Sequence, residues 1–231
     1  MSFIEKVFQP EDKQFKGCIF KCEFNPAQYC DAQVFALLEH NLDPKLHNAV
    51  NKRKAEFTAG RFMAKCCLQQ HRILNTKVPI GANRAPMWPP NIIGSITHTN
   101  NIAICATAEK STHRYLGIDI EPVMSEQTAQ QIAKAVLVND EYHLVSAIEK
   151  PNPLILTLIF SVKESLFKAL YPEVQRYFDF DAAQVTSINL ANRQIQLKLV
   201  NSLTAELEAD SHYQATFDIS DQHVTTILYT T

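Results

Sequence analysis

The sequence predicts an α+β fold made of two similar halves, each a small antiparallel-rich sheet packed with helices. Three observations carry that expectation. Strand candidates cluster after helix candidates instead of alternating with them, which favours α+β over a single alternating α/β sheet, the competing reading. Each half runs strand, helices, then further strands, a weak internal similarity that reads as a pseudo-duplication. With only five glycines and no low-complexity tract, the 231 residues contain no long flexible linker. The boundary is placed near Lys110 to Arg114, giving halves 1–112 and 113–231.

Taken in order, Cys18 to Phe24 alternates apolar and polar residues, as a half-buried strand does. Ala27 to Glu39 and Leu46 to Leu74 read as helices, the second long and amphipathic. Val78 to Pro90 holds four prolines and one glycine and is expected to be an ordered, irregular loop. Ile92 to Thr97 and Ile102 to Thr107 form a strand pair that turns at Asn100-Asn101. After the polar stretch Ala108 to Arg114 comes the strand Tyr115 to Ile120, then helices at Glu126 to Val138, Asp140 to Ile148 and Leu154 to Leu170. Gln184 to Leu190, Gln194 to Val200, Tyr213 to Ile219 and His223 to Tyr229 supply the remaining strands.

Composition narrows the function classes. A hydrophobic share of 46 % and a charged share of 20 % are those of a globular protein with a buried core. The formal net charge of −2 provides no global basic field for nucleic acid. The first residues lack a basic segment followed by an apolar one, and no apolar run approaches the roughly 20 residues of a membrane span. A cytoplasmic protein without a membrane span is expected. Of the six cysteines, none forms a Cys-x-x-Cys pair, so buried thiols are expected in preference to a zinc site.

The residues that carry chemistry are charged ones in register. Asp119 and Glu121 sit two apart in Gly117-Ile118-Asp119-Ile120-Glu121-Pro122. On a strand they share a face, about 7 Å apart. That spacing suits one hard cation such as Mg²⁺, which takes oxygen ligands at about 2.1 Å. Leu116, Ile118 and Ile120 form the opposite, apolar face. A solvated strand end explains the acidic pair alone. Downstream, Phe160, Glu164 and Lys168 share a helix face at i, i+4 and i+8, while Ile155, Ile159, Val162 and Leu166 form its core stripe. An ordinary Glu-to-Lys helix pair, worth about 0.3–0.5 kcal/mol, is the bland alternative there. Three carboxylates and a lysine together suggest a metal gripping a polyphosphate.

Three other segments offer anion contacts. In Gly94-Ser95-Ile96-Thr97-His98-Thr99, small hydroxylated residues would let a phosphate approach, with His98 donating to it. Arg53, Phe57 and Arg61 recur every four residues, placing two guanidinium groups on one helix face about 12 Å apart. Gly60 beside Arg61 leaves room for close approach, and Arg53 with Glu56 reads as an ordinary surface pair. Arg84-Ala85-Pro86-Met87-Trp88-Pro89 sets a cation on a rigid loop, with Trp88 as a packing anchor.

In this order the segments resemble the 4′-phosphopantetheinyl transferases, in particular the surfactin-type and enterobactin-synthase component D branch. The resemblance runs through Arg53-x3-Phe57-x3-Arg61, Arg84-Ala85-Pro86-x-Trp88-Pro89, Gly94-Ser95-Ile96-Thr97-His98, Gly117-x-Asp119-x-Glu121 and Lys163-Glu164-Ser165-x2-Lys168, from about residue 45 to 182. It implies transfer of 4′-phosphopantetheine from coenzyme A to a serine of an apo acyl, peptidyl or aryl carrier protein, leaving adenosine 3′,5′-bisphosphate. Carriers of siderophore, non-ribosomal peptide, polyketide or fatty-acid pathways are the implied partners. It also implies a monomer with pseudo-two-fold symmetry and coenzyme A held between the halves.

By position, Asp119, Glu121 and Glu164 match the Mg²⁺ ligands, with Mn²⁺ as an alternative metal, and Lys168 the lysine on the pyrophosphate. Asp119 and Lys163 are likewise implied to bind coenzyme A. Arg53, Arg61, Thr97 and His98 match residues that hold coenzyme A phosphates, and Asn83, Arg84, Ala85 and Pro86 the segment near the adenine. Some relatives carry lysine at the Asn83 position, and many carry tryptophan at the Phe160 position. Catalysis would fall to Glu164, Lys168 and His98, with Glu164 taking the serine proton directly or through a metal-bound water. A non-catalytic module that binds coenzyme A or a carrier domain is the alternative. Exposed residues of the 126–138 helix such as Val136 would be a carrier surface, against the preferred reading of that helix as packed on its own core.

Overall fold

The computed structural model describes residues 3–10, 14–220 and 222–231. They form two compact units, Met1–Arg114 (with Thr231) and Tyr115–Thr230. Each is an antiparallel sheet with helices packed against it, as an α+β chain of two halves requires.

In the first unit, strands β1 (Ile4–Phe8), β2 (Cys18–Phe24), β3 (Ile92–His98) and β4 (Ile102–Glu109) stand in the order β1-β2-β4-β3. Helix α1 spans Ala32–Leu38 and α2 spans Asn51–Gln70. The buried side of α2 is small, with Ala55, Ala59 and Ala64 beside Met63, Cys67 and Leu68. Those residues meet Cys18, Cys22, Ala103 and Cys105 of the sheet. At Gly60 an added Cβ would lie 2.9 Å from Ile96 Cγ2, so the space expected there is taken by β3. Likewise a Cβ on Gly94 would enter the Trp88 ring at 2.6 Å, which makes Trp88 a packing anchor. All six cysteines are free thiols; Cys30 is exposed, while burial pushes the Cys22 thiol up to about 12.

Several elements differ from expectation: the helix expected from Leu46 starts at Asn51 after a 3₁₀ turn at Pro44–Leu46, and the one expected at Asp140 to Ile148 is a 3₁₀ segment, Asn139–Val145. The helix predicted over Ala27 to Glu39 is broken: Asn25 caps a 3₁₀ turn at Pro26–Gln28, and α1 starts only after Asp31. Lys54 of α2 holds the Asp31 carboxylate at 3.1 Å and so fixes where α1 begins. Strand β1 was not anticipated, because its residues are mostly exposed and lack an apolar alternation.

The second unit contains β5 (Tyr115–Pro122), α3 (Glu126–Val136), a 3₁₀ segment (Asn139–Val145) and α4 (Pro153–Val174). Then come β6 (Ala183–Asn189), β7 (Gln194–Leu199), β8 (His212–Ile219) and β9 (His223–Thr230), with sheet order β5-β9-β8-β7-β6. Helix α4 begins with Asn152 accepting from the Leu154 and Ile155 amides, and Pro153 sits in its first turn. Ile159, Val162 and Leu166 of its predicted stripe are fully buried. Val136 is buried in the same core, which removes it as an exposed docking residue and supports the packed-helix reading. Among the described residues no helix is long and apolar enough to cross a membrane.

Close seating of α4 on β5 brings the helix face of Glu164 and Lys168 to the acidic strand. A Cβ on Gly117 would stand 1.8 Å from the Ser165 carbonyl oxygen, so only glycine fits between strand and helix. Beside it, the Ser161 and Ser165 hydroxyls meet the Thr226 hydroxyl of β9 at 3.0 and 2.7 Å. Ser165 also donates to the Thr226 carbonyl at 3.1 Å. Small residues and hydroxyls thus replace bulky apolar contacts along this seam, drawing α4 against the two strands.

Candidate active site

Because β5 alternates, the side of Gly117 that meets α4 also carries Asp119 and Glu121. Asp119 is buried, not a solvated strand end, and its Oδ1 accepts from Lys168 Nζ at 2.6 Å. The same ammonium donates to the Ile118 carbonyl at 3.3 Å. Burial raises the Glu121 carboxyl to about 7, with the Asp119 and Glu164 charges adding to the effect and Lys168 opposing it. Glu164 is also raised, first by burial and then by Asp119, again against Lys168. The structure therefore gathers Asp119, Glu121, Glu164 and Lys168 into one electrostatic cluster.

That cluster is not a finished coordination shell. Among the described residues no three His, Cys, Asp or Glu side chains come together as a metal cage. The Lys168 ammonium takes the cationic position next to Asp119. The donor set still fits a hard divalent ion: it is all carboxylate oxygen, partly buried, and carries a like-charge cost that a cation would remove.

Lys163 lies elsewhere than its neighbours. Its ammonium points into the core of the second unit and is 2 % exposed. There it donates to Glu141 Oε2 at 2.8 Å, the Val136 carbonyl at 2.9 Å and the Phe180 carbonyl at 3.1 Å. Burial lowers the Lys163 pKa while Glu141 pulls it back up. Next to it a small cavity of about 60 Å³ opens beside Glu164, walled by Phe167, Tyr177, Phe178 and Phe180.

In the first unit a cavity of about 460 Å³ is lined by Lys45, Arg53, Arg61, Arg84 and His98, with Glu56 as its one carboxylate. Arg53 donates to His98 Nε2 at 2.9 Å, and Glu56 lies 3.7 Å from Arg53 and 3.8 Å from His98 Nδ1. Arg61 is buried, its guanidinium 4.6 Å above the Phe57 ring and its Nε without a hydrogen-bond partner. Burial lowers its pKa to about 10. A cation held this way is prepared for an anion.

The loop residues divide. Pro86 and Arg84 line the cavity, and Asn83 and Arg84 both take positive φ, 48° and 65°. The Gly81 amide donates to the Ala85 carbonyl at 2.8 Å, so Ala85 holds the loop closed. On β3, Ile96 and His98 face the cavity, which puts the buried Thr97 side chain on the opposite face. Sequence reasoning missed Lys45, placed by the Asp43 carboxylate that accepts from its amide at 2.9 Å. The Asp43-Pro44 dipeptide was the available signal.

Two family profiles match the chain: the 4′-phosphopantetheinyl transferase N-terminal domain over residues 41–108, and the 4′-phosphopantetheinyl transferase superfamily over residues 115–227. Enterobactin synthase component D of Salmonella typhi is 35 % identical over 176 residues, covering 76 % of this chain and 71 % of that protein. The Escherichia coli K12 protein of the same name is 34 % identical over 167 residues, 72 % and 76 % of the respective lengths. The 4′-phosphopantetheinyl transferase Npt of Nocardia iowensis is 29 % identical over 158 residues, 65 % and 70 %.

Proposed function

Since the chain belongs to the 4′-phosphopantetheinyl transferase superfamily, we propose that it moves 4′-phosphopantetheine from coenzyme A to a serine hydroxyl of an apo carrier protein. One observation carries this reading: the seating of α4 on Gly117 sets Glu164 and Lys168 beside Asp119 and Glu121. A module that only binds coenzyme A has no use for that cluster. Carriers of siderophore assembly are the first candidates, given the names of the relatives, with non-ribosomal peptide, polyketide and fatty-acid carriers next.

Asp119, Glu121 and Glu164 would hold Mg²⁺, or Mn²⁺ in its place. When bound, the ion supplies positive charge for a diphosphate. The chain's own residues do the rest. Arg53, Arg61, Arg84, Lys45 and His98 give a terminal phosphate a cationic cavity. The serine Oγ attacks the phosphorus on the pantetheine side, and the bond from that phosphorus to the bridging oxygen breaks. Adenosine 3′,5′-bisphosphate departs with the electron pair. Lys168 offsets charge on the departing oxygen, moving off the Asp119 carboxylate to do so. Glu164, whose carboxyl is raised by burial, accepts the serine proton directly or through an intervening water.

The test is direct. The protein is incubated with coenzyme A, Mg²⁺ and apo carriers of each class, and the carriers are weighed by mass spectrometry. A carrier heavier by one phosphopantetheine, lost in the Asp119→Ala protein, is the expected result. Coenzyme A binding with every carrier unmodified would replace the transferase with a binding module.

A further inference from the structure

Glu141 is fully buried, and both of its carboxylate oxygens accept hydrogen bonds, two of the three from outside its own 3₁₀ segment. Oε2 accepts from Lys163 Nζ at 2.8 Å and from the Val138 amide at 2.9 Å, while Oε1 accepts from the Val185 amide at 2.5 Å. Lys163 then reaches the carbonyl of Val136, the last residue of α3, where a cation is favoured by the helix dipole. Its third bond goes to Phe180. One ion pair thus ties together the end of α3, the 3₁₀ segment, the turn of α4 that carries Glu164, the 177–180 segment and β6.

The 177–180 segment forms one wall of the cavity beside Glu164. Phe180 packs on Phe160 with ring centres 5.2 Å apart, and Phe178 packs on Phe167 at 4.9 Å. A shift of Lys163 therefore moves both the backbone next to Glu164 and the aromatic wall facing it. An ammonium already making three hydrogen bonds within the core would have to abandon a buried carboxylate to grip a phosphate. That carboxylate would then be left uncompensated.

We infer that Glu141 is a positioning residue of the transfer site, forming with Lys163 a buried ion pair that fixes the α4 turn bearing Glu164, and that Lys163 does not hold the donor's phosphates. The inference rests on the transferase reading. In this protein Lys168 and the cluster on β5 remain for the diphosphate, and Lys163 is a strut.

The pair is tested by neutralising both members, Glu141→Gln with Lys163→Met, against each single change. Coenzyme A binding is measured by calorimetry and transfer by steady-state kinetics. Lys163→Met alone should lose folded yield, and the double variant should recover much of it. Its coenzyme A Kd should stay within about threefold of wild type, while kcat falls about tenfold to a hundredfold because Glu164 is misplaced. A Kd weakened about tenfold or more in the folded double variant would make Lys163 a phosphate ligand and overturn the inference. An unchanged kcat would reduce the pair to a core contact, which overturns it equally.

Reductive methylation of the wild-type protein gives a readout that needs no variant to fold. Lys168, whose side chain is 25 % exposed, should be modified and then protected by coenzyme A. Lys163 should stay unmodified with or without it, and its modification in the free protein would refute the placement. If the wild-type protein binds coenzyme A yet modifies no carrier, the transferase reading fails. The binding and methylation results still decide where Lys163 points.

Discussion

Replacing Gly117 by alanine adds one methyl group where the backbone of α4 leaves no space for it. The new Cβ would lie 1.8 Å from the Ser165 oxygen, 2.8 Å from the Ser165 carbonyl carbon and 2.9 Å from the Ala169 amide nitrogen. None of these atoms can rotate away. Restoring an ordinary 3.4 Å separation from the oxygen requires a displacement of about 1.6 Å. Alanine is worth about 0.5–1 kcal/mol more than glycine in a strand, so a site with room would gain stability. Overpacking against fixed backbone costs about 1–3 kcal/mol or more, so the clash should win and leave a net loss of about 1–2 kcal/mol. The functional loss should be larger. A helix moved by that distance breaks the 2.6 Å contact of Lys168 with Asp119 and shifts Glu164. A misplacement of about 1 Å can cost a hundredfold in rate. Urea denaturation and carrier-loading kinetics measure the two effects on one preparation. A Gly117→Ala protein with wild-type stability and transfer rate would refute the reasoning, since α4 would not then lie against that strand.

Gly60→Ala makes the contrasting case: its Cβ meets only the Ile96 Cγ2 methyl, at 2.9 Å. Helix propensity contributes about 1 kcal/mol in favour, so stability by urea denaturation should change by less than about 1 kcal/mol. A loss like that of Gly117→Ala would contradict the assignment of the close contact to a side chain. Arg61→Met removes a buried, desolvated cation and should stabilise the ligand-free protein by about 0.5–2 kcal/mol while weakening coenzyme A binding; a destabilised variant would sink this. In chelator, Glu121 should cost no stability below about pH 4.5, where it is protonated in both states. The cost grows as pH rises through its raised value of about 7 and persists above it. Urea midpoints from pH 5 to 8 check the sign, and Glu121→Gln should flatten that part of the profile.

Much of the fold was legible because periodicity and motif agreed. Strand β5 and helix α4 follow from Gly117-x-Asp119-x-Glu121 and the stripe Ile159, Val162, Leu166, and both lie where the pattern puts them. What escaped was long-range pairing of polar residues. Glu141 sits in the polar run Asn139-Asp140-Glu141, which reads as surface, yet its partner is 22 residues away on another element. The same holds for Lys54 and Lys65 of α2, which reach Asp31 and Glu39 at the two ends of α1 and are buried by doing so. Local pattern assigns lysine to solvent; only the tertiary partner reverses that. The basic cavity was half visible, since Arg53 and Arg61 share a helix face. Lys45 reaches it from a separate turn, and Thr97 turns its side chain away.

Sheet order has a consequence for how the protein is made. Among the described residues the strand carrying Asp119 has a single neighbour, β9, in which Thr226 stands opposite Asp119 and also meets the Ser161 and Ser165 hydroxyls. A ribosome must therefore synthesise roughly a hundred further residues after the first acid before its supporting strand exists. Until then the nascent chain holds an unpaired acidic strand. Activity should appear only once β9 is made, and a frameshift that begins at His223 should silence transfer although Asp119, Glu121, Glu164 and Lys168 are all intact.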